Sequence, residues 1–95
     1  MSNDLKIFIL INGHEVVCGL VSDEPTYYLV DQPFGIQMVP TKDGTTYGLQ
    51  LVPFCAVGAE GNYRIYKHAV CAEPTKIPDD IEKAYVKQTS RIQLL

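Results

Sequence analysis

The chain has 95 residues, of which 46% are hydrophobic and 20% charged, and its formal net charge is −3. That length fits one domain with one modest core, and the balance of apolar to charged residues excludes a disordered chain. The net negative charge excludes a protein that coats duplex DNA nonspecifically. Any nucleic-acid contact must then come from a small local cluster of donors, which assembly of several copies would concentrate.

Residues 1–4, "MSND", read as a loose polar start. Residues 5–11, "LKIFILI", are dense in Ile, Leu and Phe and predict a strand buried on both faces. Asn12-Gly13 is the strongest short hairpin signal of the chain. Residues 14–22, "HEVVCGLVS", are the return strand, and Gly19 inside it predicts a bulge or a sharp bend. "DEP" at 23–25 is a turn, and 26–32, "TYYLVDQ", a third strand. "PFG" at 33–35 is expected to interrupt that strand before 36–39 continue it.

A second hairpin tip falls at 40–46 around Asp43-Gly44, followed by a fourth strand at 47–57 with Pro53 at a bulge or an edge. "GAEGN" at 58–62 is a third turn, and 63–72, "YRIYKHAVCA", is the last strand region. Alternation sets Tyr63, Ile65 and Lys67 on one face and Arg64, Tyr66 and His68 on the other. Pro78 with Asp79 and Asp80 marks a helix start. Ile81, Ala84, Tyr85, Gln88 and Ile92 recur at helical spacing, which predicts an amphipathic helix over about 78–91. The apolar tail "IQLL" is expected to dock on something.

The expected fold is therefore mainly β: one domain, residues 1–95, with a small, strongly bent, five-stranded antiparallel barrel over about 5–72 and a C-terminal helix. Cys18, Cys55 and Cys71 show no CxxC spacing and, with two His, no zinc-ligand pattern. They read as reduced thiols of an intracellular protein. No cofactor or metal is expected. No signal peptide or membrane span is read, because Asn12, Gly13, His14 and Glu15 break the apolar run at 5–13. No Ser/His/Asp constellation, phosphate loop or HExxH appears, so the chain does not read as an enzyme.

Two stretches resemble the Sm-like (LSm/Hfq) family of RNA-binding proteins. "FILINGHEVVCGLV" at 8–21 resembles the first Sm motif: an apolar strand, an Asn-Gly hairpin, then a strand with one Gly at its bend. "YKHA" at 66–69 matches the short signature of the second Sm motif in the bacterial RNA-chaperone branch. The resemblance implies an SH3-like barrel whose subunits pair edge to edge into a homo-oligomeric ring around a pore. It also implies a cytoplasmic protein that binds single-stranded RNA, U-rich by preference, with DNA as the second candidate. The small acidic chain is also similar to Sm-like proteins encoded by phages, for which the location is the host cytoplasm.

Carried over by position, Lys67 and His68 become pore-facing RNA donors, and Tyr27 or Tyr28 becomes the base-stacking side chain of the loop after the second strand. Asp23 resembles the acidic residue of that loop. The chain departs from the pattern in its longer third and fourth strands, in the lack of room for an N-terminal helix, and in its added C-terminal helix. A second register is open, in which 56–66 is the second Sm motif. Gly58, Asn62 and Arg64 then move toward the pore and Lys67 and His68 away from it. The competing reading is a structural or assembly ring that mediates protein–protein contacts without nucleic acid.

Overall fold

The computed structural model describes residues 4–54 and 61–93. Cys55, Gly58 and the tail residues Leu94 and Leu95 lie outside them. The elements are β1 (Asp4–Leu10), β2 (Glu15–Asp23), β3 (Tyr27–Pro40), β4 (Tyr47–Pro53), β5 (Asn62–Tyr66), a 3-10 turn (Lys67–Ala69), β6 (Val70–Ala72) and α1 (Asp79–Gln93). The strands form one antiparallel sheet in the order β4-β3-β2-β1-β6, with β5 also paired to β3. The chain is mainly β with a C-terminal helix, and the hydrogen-bonded ladder of this sheet is open.

The Asn-Gly signal becomes a tight turn between β1 and β2. Gly13 takes φ 90°, a left-handed backbone that glycine adopts without steric cost, and its N–H donates to the Leu10 carbonyl at 2.8 Å. Asn12 Oδ1 accepts the His14 N–H at 3.0 Å and closes the turn.

Both faces of the central strands are buried, which explains their unbroken apolar runs. On one face Phe8, Leu10, Val16, Cys18, Val30 and Ile65 form a core cluster, flanked by Tyr28, Tyr63 and Val70. On the other, Ile7, Val17 and Phe34 pack under Tyr85 of α1. The β2–β3 register shifts between Val17 and Gly19, and Gly19 then pairs with Asp31. This is the irregularity that a glycine inside an apolar strand signals.

Two sequence expectations are corrected. "PFG" does not interrupt the third strand: β3 runs unbroken through Pro33. Gln32 takes φ 47° and turns the strand, which carries Pro33 and Phe34 into the core. The missing N–H of proline costs little there, because Pro33 falls in the register shift between the Val17–Phe34 and Gly19–Asp31 pairs, where the ladder to β2 is already irregular. The last strand region is not one strand but two, so the sheet has six strands rather than five. The 3-10 turn breaks it: β5 pairs with β3, whereas β6 pairs with β1 at the far side of the sheet.

Beyond Gly35 and Val52, β3 and β4 continue as a two-stranded arm. Ile36 and Leu51 at its base pack against the cluster of Ile7, Val17, Phe34 and Tyr85, whereas Met38 is 62% and Tyr47 68% exposed farther out. The helix begins where Pro78 and the acids predicted it, with Asp79, Asp80 and Glu82 in its first turn. It docks through Ile81 and Tyr85, and the Tyr85 hydroxyl donates to the Gln32 carbonyl at 3.0 Å. Thr89 is buried with its polar group satisfied, because its hydroxyl donates to the Tyr85 carbonyl at 2.9 Å.

Candidate nucleic-acid interface

The 3-10 turn and the loop between β2 and β3 meet at one end of the sheet. Two backbone bonds fix the loop: Glu24 N–H donates to the Tyr27 carbonyl, and Lys67 N–H donates to the Thr26 carbonyl, each at 2.9 Å. Antiparallel pairing sets Tyr27 opposite Tyr66 and Tyr28 opposite Ile65. Side chains alternate along both strands, so the cluster divides into two layers.

The inner layer faces the core. Tyr28 stacks on Phe8 with centroids 4.5 Å apart. Lys67 Nζ lies 4.8 Å from the centroid of the Tyr28 ring and 2.6 Å from Asp23 Oδ1. The hydrogen bond to Asp23 holds the Lys67 ammonium above its ordinary pKa, against a smaller opposing effect of burial. Tyr28, Lys67 and Asp23 thus cap this end of the core.

The outer layer faces away from that core. Tyr66, 45% exposed, meets Tyr27 edge-on at 6.0 Å and the His68 ring in a near-parallel arrangement at 6.0 Å. The Arg64 guanidinium carbon sits 5.2 Å over the Tyr27 ring. Three flat rings and one cation therefore adjoin on a surface open to solvent.

The residues expected to act together are only partly gathered. Tyr27, His68 and Arg64 share the outer layer, while Tyr28, Lys67 and Asp23 share the inner one. Asn62 pairs with Asp31 at the other end of β5, roughly 13 Å along the strand from Tyr66. Tyr66, given no site role by the sequence, joins the outer layer. The alternation that groups it with Arg64 and His68 was the available signal.

Cys18 is fully buried, and burial, with the charges of Asp31 and Glu73, pushes its thiol up to about 12. Such a thiol is a poor nucleophile. Cys71 is exposed on β6 and its thiol points to the Leu10 carbonyl at 3.6 Å. Among the described residues no group of three or more His, Cys, Asp and Glu could hold a metal ion. Among them, too, no helix is long and apolar enough to cross a membrane.

No family model matches this chain, and no curated protein matches it.

Proposed function

We propose that the chain is an Sm-like protein whose strongly bent sheet rolls into a small barrel, assembles into a homo-oligomeric ring, and binds single-stranded RNA without catalysis. The carrying observation is the 3-10 turn at "YKHA". It joins a strand paired to β3 with a strand paired to β1, and it gathers Tyr27, Arg64, Tyr66, Lys67 and His68 at one end of the sheet. Barrel closure is supported by packing rather than by a ladder: Ile65 of β5 and Val70 of β6 enter one core cluster. The outer edges of β5 and β6 offer backbone donors and acceptors to neighbouring copies, and edge pairing of that kind repeats into a ring when its rotation closes.

Function follows from repetition. Each copy carries stacking surfaces and few cations, too little alone to hold a polyanion against a net charge of −3. Several copies around one axis make a collar of rings and donors, and single-stranded nucleic acid is held by base stacking plus backbone charge. A short U-rich RNA is the expected ligand, and single-stranded DNA is the second to test.

The test joins a light-scattering mass to fluorescence anisotropy with labelled oligo-U at low salt. A mass of several copies with saturable binding that weakens steeply with salt is expected. A monomer, or no binding at about 50 mM salt, removes this reading. One observation favours the alternative of a protein-assembly ring: the exposed apolar arm residues Met38 and Tyr47. Docking through them would hold or tighten as salt rises.

A further inference from the structure

We propose that RNA is gripped on the outer layer alone: bases stack on Tyr27, Tyr66 and His68, Arg64 meets phosphate, and Lys67 is a positioning residue acting from the inner layer. This inference rests on the RNA reading above and assigns its parts. It reverses what the "YKHA" resemblance implies for the lysine.

The inner layer gives the first reason. Lys67 Nζ is committed to Asp23 Oδ1 at 2.6 Å and sits against the Tyr28 ring. A phosphate that captured this ammonium would have to separate it from Asp23. It would then lie beside that carboxylate, with Glu24 next in the chain. Like charges at such a site oppose the phosphate. What the pair does well is mechanical: the side chain ties the end of β2, while the Lys67 N–H ties Thr26. Both ends of the short loop before Tyr27 are thereby fixed to the 3-10 turn, and Tyr27 is held on the outer face.

The outer layer gives the second. Arg64 is exposed and its guanidinium carbon lies over the Tyr27 ring, 5.2 Å from the centroid. A guanidinium held over an aromatic ring by cation–π attraction keeps N–H groups free for bidentate contact with phosphate oxygens. The Tyr66 and His68 rings, tilted by only 21°, continue the same surface. Base stacking on such rings tolerates any base and is strong for its size.

The closing experiment measures labelled oligo-U affinity across a salt series for the wild type and for Arg64→Gln, Tyr66→Leu, Lys67→Met and Asp23→Asn/Lys67→Met, with circular dichroism and light scattering on each. Arg64→Gln is expected to weaken binding about tenfold at about 0.1 M salt and to flatten the salt slope by about 0.7 for each phosphate that the side chain no longer neutralises. Tyr66→Leu weakens binding about tenfold with the slope unchanged. Lys67→Met weakens it about threefold, also with the slope unchanged, and the double variant is no weaker than Lys67→Met. A flattened slope in Lys67→Met with a normal one in Arg64→Gln overturns the assignment and leaves the RNA reading standing. A wild type that binds no oligo-U overturns both.

Discussion

Tyr27 and Tyr28, adjacent in the chain, stand on opposite faces of β3. Tyr28, half-buried, stacks on Phe8 at 4.5 Å at the edge of the core, and Tyr27 lies on the outer face against Tyr66 at 6.0 Å. One step along a strand therefore separates a residue that packs on the core from one that the proposed RNA surface uses. Tyr28→Ala is expected to cost about 3 kcal/mol, the scale of deleting a core aromatic. Tyr27→Ala is expected to cost under about 1 kcal/mol and to weaken oligo-U binding. Urea melts of both variants check this, and equal destabilisation by the two would refute the division of the layers.

Tyr85 secures the helix to the sheet in two ways. Its ring meets Phe34 edge-on at 6.0 Å, and its hydroxyl donates to the Gln32 carbonyl at 3.0 Å. Tyr85→Phe keeps the first contact and removes the hydrogen bond to the half-buried Gln32, for an expected destabilisation of about 1 kcal/mol. Tyr85→Ala removes both and is expected to cost about 4 kcal/mol. Thermal melts should separate the two variants clearly. A Phe variant as damaging as the Ala variant would mean that the hydroxyl, not the ring, holds the helix.

Gln32 takes φ 47°, a left-handed conformation unusual for a residue with a Cβ, at the bend the helix grips. Gln32→Gly is expected to raise stability by about 0.5 kcal/mol, the steric relief slightly exceeding glycine's added chain entropy. Gly13 makes the opposite case. A Cβ there meets nothing within 4 Å, yet φ is +90°. Gly13→Ala is expected to destabilise by about 1 kcal/mol through backbone strain alone. A neutral Gly13→Ala in denaturant titration would show that the turn adapts.

These bends also mark where the sequence ceased to be legible. The hairpin at Asn12-Gly13, the irregularity at Gly19 and the helix after Pro78 could be read because each rests on a local rule of backbone or dipole. Pro33 misled, since a proline in a strand signals a break only if its N–H is needed. Here Gln32 turns the chain and the β2–β3 register shifts at Pro33, so the ladder does not call on an N–H there. The break at Lys67–Ala69 was equally hidden. "YRIYKHAVCA" alternates well enough to be one strand, and only the tertiary demand that β5 pair with β3 and β6 with β1 divides it. Alternation grouped Arg64, Tyr66 and His68 apart from Tyr63, Ile65 and Lys67, but left open which of Tyr27 and Tyr28 faces outward. That Lys67 would meet Asp23, 44 residues away in the chain, was not legible.

The thiols should respond according to burial. Cys71 is exposed and Cys18 fully buried. In a Cys55→Ser background, Ellman's reagent at about pH 8 is expected to modify one thiol rapidly in the native protein, and the second only in denaturant. Mass spectrometry should find the fast label on Cys71. Rapid labelling of Cys18 would mean that the core between β1, β2 and β5 opens on the time scale of the assay.

Alkaline pH should weaken the fold, with the direction set by the groups whose protonated forms folding favours. The Cys18 thiol is pushed up to about 12 by burial, against an ordinary value of 9.0. Burial likewise raises the Tyr85 hydroxyl from its ordinary 10.0. Below about pH 9 both groups are protonated in the folded and unfolded chains, so their contribution is complete. Above it the unfolded chain releases protons that the folded chain retains, and each further rise in pH favours unfolding until the folded thiol ionises near about pH 12. Lys67, raised by Asp23, acts in the same direction from its ordinary value of 10.5 upward. Urea midpoints measured at unit steps from about pH 7 to about pH 11 are expected to be level at first and to fall from about pH 9. Cys18→Ala should lower the midpoint at neutral pH through its cavity and yet flatten the alkaline decline. An unchanged decline in that variant would assign the alkaline transition to Tyr85 and Lys67, and Tyr85→Phe would then be the variant that flattens it.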